Sequence, residues 1–134
     1  MIRHFRVAAG ILVDGSGNVL IAERLGDGPF HGMWEFPGGK IGQHESATDA
    51  LQRELVEELG IRATTFEHFM NLCHEYPDRR VTIDFFLVTE WQDEPSGLEG
   101  QQLQWISVDE LEGAKLLPAD APVVSALQGQ QMLS

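Results

Sequence analysis

The chain of 134 residues is long enough to bury one hydrophobic core and short for two ordinary domains, so we expect one domain over residues 1–134. Hydrophobic residues make up 43% of it and charged residues 22%, a balance that excludes a disordered chain. The formal charge of -12 argues against a nucleic-acid polymer as partner, because phosphate backbones bind basic surfaces; a small polyphosphate can still bind if metal ions screen the acids.

Compartment and redox state follow from the apolar segments and the cysteine content. A short apolar run follows Arg3 and Arg6, and no apolar segment of about 18 residues is present, so neither a signal peptide nor a membrane partner is expected. The single cysteine, Cys73, cannot form an internal disulfide and lies in an apolar stretch, which predicts a buried free thiol. We therefore expect a soluble cytoplasmic protein.

The N-terminal segment predicts two strands. Val7 to Val13 is a continuous apolar run with small residues, typical of a strand that is buried on both faces. A turn cluster follows from Asp14 to Asn18, and Val19 to Ala22 is predicted to return as a second strand. Together these segments predict a hairpin.

A glycine- and proline-rich stretch comes next. Leu25 to Gly32 is predicted to be a loop, and Met33 to Phe36 a short extended piece. Pro37-Gly38-Gly39 is predicted to be a turn that delivers the chain to a helix.

The predicted helix runs from Glu45 to Leu59, because apolar residues recur at four-residue steps and no proline or glycine interrupts them. Three of its acids, Glu54, Glu57 and Glu58, lie beside the apolar stripe in the half of the helix where the macrodipole is negative. Like charges at this spacing each destabilise a helix by about a few tenths of a kcal/mol. Clustered carboxylates suit Mg²⁺ or Mn²⁺, although a solvated glutamate-rich helix can have the same composition.

Two long strands are predicted after the helix. Phe66 to Tyr76 and Val81 to Trp91 flank a turn at residues 77–80, and the second strand is rich in Val, Ile and Phe. Asp93 to Gly100 is an acidic loop that contains glycine and proline.

The C-terminal segment predicts a short strand from Leu103 to Ser107 and a helical turn from Val108 to Leu111. A closing helix is predicted from Pro118 to Leu127, with Asp120 in a position to cap it. Several strands with only two substantial helices indicate a mixed sheet between helices, in the α/β (α+β) class.

The spacing of the acidic segment supplies the strongest functional signal. Gly39, Glu45, Arg53-Glu54-Leu55, Glu57-Glu58 and Gly60-Ile61 follow the complete signature of the Nudix hydrolases, and the chain resembles that family. The resemblance implies an α/β/α sandwich that hydrolyses a nucleoside diphosphate linked to another group. It also implies Mg²⁺ as cofactor, for which Mn²⁺ can substitute.

The resemblance also implies roles within the signature. Glu54 and Glu58 match direct metal ligands, Glu57 a further ligand or base, and Arg53 the residue that orients them. A backbone carbonyl at Gly38 or its neighbour completes the metal shell, because a residue without a side chain lets the backbone approach the ion. Outside this set, Glu45 either caps the helix start or pairs with the arginine.

Further segments are similar to the MutT branch of the family, the 8-oxo-dGTP diphosphatases. These segments are Trp34 to Ile41, Tyr76 to Arg79 and Glu94 to Gln101. In that branch an acid from the loop after the long strand approaches the metals, and Glu99 occupies its place, although a solvated loop acid is an equal alternative. The positions that match substrate-binding residues are Arg24, Glu35, Phe36, Pro37, Gly38, Asp78, Arg79 and Asp120.

Base preference stays open at Asp120. The MutT pattern has asparagine at this position, and an aspartate cannot donate a hydrogen bond to the guanine O6 unless it is protonated. An ionised aspartate would suit the amino group of cytosine, or the N1–H and N2 edge of guanine. Capping of the last helix is the structural alternative.

The resemblance therefore implies a Mg²⁺-dependent hydrolase that converts 8-oxo-dGTP to 8-oxo-dGMP and pyrophosphate and cleans the nucleotide pool. The alternatives are a CTP or modified-cytosine nucleotide pyrophosphohydrolase and a non-catalytic Nudix-fold sensor. The expected partner is a nucleoside triphosphate, and the expected assembly a monomer or weak homodimer. The five histidines form no zinc pattern, and Walker, G-x-S-x-G and Cys-x-x-Cys motifs are absent from the sequence.

Overall fold

The computed structural model describes residues 2–26, 28 and 30–132. Within these residues the elements follow in the order β1 (Arg3–Leu12), β2 (Asn18–Glu23), β3 (Trp34–Glu35), β4 (Gly38–Lys40), α1 (Ala47–Leu59), β5 (Arg62–Tyr76), β6 (Arg79–Gln92), β7 (Leu103–Ser107) and α2 (Ala121–Met132). Short 3₁₀ segments cover Val108–Gly113 and Pro118–Asp120. In the described part of the chain, no helix is long and apolar enough to cross a membrane.

The strands form two sheets. The first has the order β4-β1-β6-β5 and is mixed, because β1 pairs in parallel with β6 and antiparallel with β4. The second has the order β3-β2-β7 and is antiparallel. The two long predicted strands are confirmed as β5 and β6, each of which begins earlier than expected, and β7 has the predicted bounds.

The helices pack on opposite sides of these sheets. On one side, Leu51, Leu55 and Leu59 of α1 pack in a buried cluster with Leu12 and Phe86. On the other side, a second buried cluster joins three residues of α2 to strand residues. Its members include Val123, Val124, Leu127, Ile11 and Phe85. The mixed sheet therefore lies between helices, as predicted.

Helix α1 has a defined start and end. Ser46 is its N-cap, and its side-chain oxygen accepts a hydrogen bond from the backbone N–H of Asp49 at 3.1 Å. Gly60 ends the helix in the left-handed conformation, with φ of 70°. The predicted start at Glu45 was two residues early, because Ser46 takes the capping position.

The predicted hairpin between the first two strands is wrong. β1 and β2 belong to different sheets, and a single bridge from Val13 to Val19 links the two segments. The turn itself is present, because the Oδ1 of Asp14 accepts the N–H groups of Ser16 and Asn18, each at 2.9 Å. The chain leaves this turn to pair with β7, which a local pattern cannot indicate.

The predicted turn at residues 37–39 is also wrong. Gly38 and Gly39 belong to β4 and pair with Ala9 and Ala8 of β1. A Cβ at Gly38 would overlap the carbonyl oxygen of Ala8, so the absence of a side chain serves strand packing here.

Two predictions about single side chains are corrected. Cys73 is exposed rather than buried, because it points to the solvent side of β5, whereas Leu72 and His74 on either side are partly buried. Asp120 does not cap α2 through its side chain. It ends the 3₁₀ segment Pro118–Asp120, and within the described residues its Oδ2 has no hydrogen-bond partner.

Candidate active site

Arg53 organises the acidic face of α1. Its Nε and Nη2 donate to the two carboxylate oxygens of Glu45 at 2.7 and 2.9 Å. Its Nη1 donates to Glu54 at 2.8 Å and to Glu57 at 3.4 Å, while Nη2 also reaches the carbonyl oxygen of Lys40 at 2.9 Å. Hydrogen bonds from this guanidinium, with help from a backbone N–H, lower the pKa of Glu45 to about 2. Of the two alternatives for Glu45, the structure shows the pairing with Arg53, because Ser46 caps the helix.

Glu54 lies against the backbone of β4. Its side chain is only 14% exposed, and a Cβ at Gly39 would overlap its carboxyl group. A glycine is therefore required at this position for the carboxylate to stay where it is.

Glu58 is held by the same strand. Its Oε2 accepts the backbone N–H of Gly38 at 3.0 Å. Burial, together with the charges of Glu54 and Glu99, raises the pKa of Glu58 to about 8. The structure therefore brings these three carboxyl groups near one another in a place where their negative charges are unfavourable.

A divalent cation fits this arrangement. Carboxylate oxygens are the donors that hard cations prefer, and a bound cation would relieve the repulsion among Glu54, Glu58 and Glu99. Within the described residues, no three Asp, Glu, His or Cys side chains form a cluster that could hold a metal ion. Arg53 binds the carboxylate of Glu54, and the N–H of Gly38 binds that of Glu58. These glutamates would therefore have to rotate to hold one ion together.

Glu57 has a different environment from the other two helix acids. Its side chain is 55% exposed and touches Arg53 at the longest of the arginine's contacts, 3.4 Å. Glu57 therefore lies at the edge of the cluster.

A cavity of about 370 Å³ opens beside the acidic cluster. Its walls include one face of β1, one face of the first half of β6, the end of β5, and the 3₁₀ segment before α2. Among the predicted site residues, those that line it are Arg24, Glu35, Phe36, Gly38, Glu58, Arg79 and Asp120. Such a volume and mixed lining are typical of a small-molecule site.

A smaller recess of about 200 Å³ adjoins the cavity and reaches Glu99 and Pro37. Arg24, Glu35 and Glu58 line both spaces. Arg24 donates to Glu35 at 3.0 Å, and burial raises the pKa of Glu35 even though the guanidinium opposes this. A ligand can therefore extend from the cavity past this ion pair to the acids.

Aromatic residues form one end of the cavity, and sequence reasoning gave two of them no role. Phe30 and Tyr76 pack together with ring centroids 5.4 Å apart, and Arg79 lies over the Tyr76 ring at 5.2 Å. Tyr76 lies in a segment that is similar to the MutT branch, so the sequence did contain a signal for its role. In contrast, Phe36 is only 4% exposed and packs edge-on against Phe85, so its ring belongs to the core as well as to the wall.

Asp120 lies in the cavity wall with only 4% of its surface exposed. Within the described residues its Oδ2 is buried without a partner. Burial raises the pKa of Asp120 to about 8, with a further contribution from the charge of Glu35. The raised pKa favours the protonated carboxyl group, which can donate a hydrogen bond.

Arg79, the first residue of β6, and Asp78, in the turn before it, differ in position. Arg79 lines the cavity, and its buried Nε has no hydrogen-bond partner within the described residues. Asp78 is exposed and is not among the residues that line the cavity.

Comparison with known proteins gives a consistent result. Residues 8–126 match the NUDIX domain family. The chain is 38% identical over 126 residues to an 8-oxo-dGTP diphosphatase of Escherichia coli (strain K12), which covers 94% of this chain and 98% of that protein. It is 36% identical over 115 residues to a CTP pyrophosphohydrolase of the same strain, with 86% and 85% covered. A solved MutT structure from work on Aliivibrio salmonicida and Vibrio cholerae has a TM-score of 0.83 at 33% identity, with 96% of this chain and 99% of that chain covered.

Proposed function

The chain belongs to the Nudix family of hydrolases, and we propose that it is a Mg²⁺-dependent enzyme that converts 8-oxo-dGTP to 8-oxo-dGMP and pyrophosphate. As a member of this family it is a hydrolase that acts on phosphoric anhydrides. One observation supports the proposal most: Glu58 lines both a cavity of about 370 Å³, whose wall includes aromatic residues and Asp120, and the recess that reaches Glu99. The non-catalytic sensor has no support among the named relatives.

Hydrolases of this family generally need a divalent metal ion. When bound, such an ion neutralises polyphosphate charge and lowers the pKa of a bound water. We assign Glu54, Glu58 and Glu99, with Glu57 and a backbone oxygen at Gly38, to holding Mg²⁺, for which Mn²⁺ can substitute.

The remaining chemistry is assigned to the chain's own residues. Arg53 keeps the carboxylate of Glu54 in one orientation through its 2.8 Å hydrogen bond. We assign Arg24 to a phosphate group between base and metal, because this residue lines both the cavity and the recess. Water attacks the β-phosphorus in this proposal, and one of the glutamates accepts its proton.

The purine is assigned to the cavity. A protonated Asp120 can donate a hydrogen bond to the 6-oxo group of 8-oxoguanine, as an asparagine would. The guanidinium of Arg79 offers a further donor, because its Nε is buried without a partner in the described part of the chain. The rings of Phe30 and Tyr76 supply apolar surface at the same end, and Glu35, Phe36 and Pro37 complete the substrate contacts.

A second candidate substrate is a cytosine nucleotide. An ionised Asp120 would accept a hydrogen bond from the amino group of cytosine, and one relative is a CTP pyrophosphohydrolase. The raised pKa of Asp120, about 8, favours the donor form and therefore the oxidised purine at neutral pH.

A nucleotide panel tests the choice. We expect kcat/KM with Mg²⁺ to be highest for 8-oxo-dGTP, followed by dGTP, with dCTP and 5-methyl-dCTP well below both. A higher kcat/KM for either cytosine nucleotide would replace the first candidate with the second. The same panel on the Asp120→Asn variant shows whether this residue reads the base.

The cellular setting is part of the proposal. We place this activity in the cytoplasm, where removal of an oxidised precursor protects DNA replication. We further propose that residues 1–134 form one domain, active as a monomer or weak homodimer, with neither a nucleic-acid polymer nor a membrane as partner.

A further inference from the structure

The loop that carries Glu99 is attached to the end of α1. The backbone N–H of Ser96 donates to the carbonyl of Leu59 at 3.1 Å, and that of Leu98 donates to the carbonyl of Glu58 at 3.0 Å. The last carbonyls of a helix have no partner within the helix, so this loop satisfies them. The loop and the helix end therefore form one hydrogen-bonded unit.

Gln101 connects the two acids within this unit. Its side-chain Nε2 donates to the carbonyl of Glu58 at 3.1 Å, and its Oε1 accepts the backbone N–H of Glu99 at 2.9 Å. The residue is only 9% exposed, and both hydrogen bonds are partly buried. Each end of one side-chain amide thus contacts the backbone of a different acidic residue.

Two glycines shape the loop around this amide. A Cβ at Gly97 would overlap the carbonyl oxygen of Gln101, so a larger residue would push the two segments apart. Gly100 has φ of 87°, and its N–H donates to the carbonyl of Gly97 at 3.0 Å. The backbone is therefore folded closely around the Gln101 side chain.

We propose that Gln101 is a positioning residue that holds Glu99 beside Glu58, so that the loop acid and the helix acid act on the same ion. The inference rests on the proposed function. Glu99 and Glu58 repel each other, and the loop that bears Glu99 has no strand or helix of its own to resist this repulsion. The amide of Gln101 supplies that resistance by a contact with each backbone.

Gln101→Met tests the proposal, because methionine has a similar length and volume and makes neither hydrogen bond. Gln102→Met is the matched control, since Gln102 is the adjacent glutamine and is exposed. We expect Gln101→Met to lower kcat for 8-oxo-dGTP by about 10-fold with Mg²⁺, and Gln102→Met to leave it within about 2-fold.

A double-mutant cycle shows whether Gln101 acts through Glu99. In a Glu99→Gln background, the further change Gln101→Met is expected to lower kcat by less than about 2-fold, because the positioned carboxylate is already lost. An equal fold-loss in both backgrounds would overturn the proposal, and so would an unchanged kcat in Gln101→Met.

Amide hydrogen exchange supplies a readout that does not need catalysis. We expect the Glu99 and Leu98 amides to exchange faster in Gln101→Met than in Gln102→Met, with the amides of β6 unchanged.

If Gln101→Met does not fold, Gln101→Glu replaces it in the cycle, because an ionised glutamate keeps the acceptor for Glu99 and loses the donor to Glu58. If the wild type is inactive but the Glu99 and Leu98 amides exchange faster in Gln101→Met, only the proposed function is contradicted. If the wild type is active but these amides exchange equally in both variants, the role of Gln101 is overturned.

Discussion

The backbone N–H of Gly38 donates to the carboxylate of Glu58 at 3.0 Å, which joins strand β4 to the last turn of helix α1. The next residue, Gly39, leaves the space that the carboxyl group of Glu54 occupies. Two consecutive glycines thus form the surface on which two acids of the helix rest. The metal site we propose depends on this surface.

Gly39→Ala should therefore disrupt the site without much effect on the fold. The added methyl group would overlap the carboxyl group of Glu54 and displace it. A misplacement of about 1 Å at a reacting centre costs roughly 100-fold in rate, so we expect a loss of that order in kcat. Gly113→Ala is the control, because a Cβ there has no atom within 4 Å. Equal kcat values for the two variants would remove the role of Gly39.

Glu58→Gln and Glu54→Gln should each lower kcat by at least about 100-fold, because several kcal/mol of transition-state stabilisation by a metal depend on charged ligands. Steady-state kinetics with Mg²⁺ checks this, and circular dichroism checks that both variants are folded. Near-normal turnover in both would withdraw the metal assignment.

Glu58→Gln should also change stability in the absence of metal. The pKa of Glu58 rises from 4.5 in the unfolded chain to about 8 in the fold, so the folded protein keeps a proton that the unfolded chain releases. The protonated Glu58 therefore contributes fully to the free energy of unfolding of the wild type below pH 4.5, and this contribution is lost progressively as pH rises to about 8. The Tm of Glu58→Gln relative to wild type should therefore increase over this window in EDTA. A Tm difference that does not vary with pH would contradict the raised pKa.

Arg53→Lys should lower kcat by about 10- to 100-fold with a smaller change in KM. A lysine has a single ammonium group and cannot replace a guanidinium that contacts Glu45, Glu54 and Glu57 together. The matched control is Arg62→Lys, a change at an exposed arginine. An equal effect of both changes would show that Arg53 orients nothing.

Asp120 should give the enzyme a base preference that depends on pH. Its pKa of about 8 means that it donates a hydrogen bond at neutral pH and accepts one at higher pH. The ratio of kcat/KM for 8-oxo-dGTP to that for dCTP should therefore fall as pH rises through about 8 in the wild type. In Asp120→Asn this ratio should not fall as pH rises through about 8, except for changes caused by titration of the substrates themselves. Parallel profiles for the two proteins would show that Asp120 does not read the base.

Sequence patterns correctly predicted the elements that depend on residues close to one another in the chain. Helix α1 and its end at Gly60 follow from apolar spacing and from the left-handed conformation that glycine adopts easily. The contact of Arg53 with Glu57, one helical turn away, also follows from residues close in sequence. The acids of the signature were singled out by their resemblance to the Nudix pattern, not by local physics.

Features that depend on distant partners could not be predicted in this way. The pairing of β2 with β7 replaces the expected hairpin, and the pairing of Gly38 with Ala9 replaces the expected turn. The exposure of Cys73 depends on which side of β5 is covered. The protonation of Asp120 depends on burial from several elements, which explains why sequence left its role open.

Pyrophosphate release from 8-oxo-dGTP is the most direct test of the account. With purified wild type and Mg²⁺, we expect stoichiometric 8-oxo-dGMP and pyrophosphate, abolished by EDTA and restored by excess Mg²⁺ or Mn²⁺. Release of orthophosphate instead of pyrophosphate, or turnover that persists in EDTA, would contradict it.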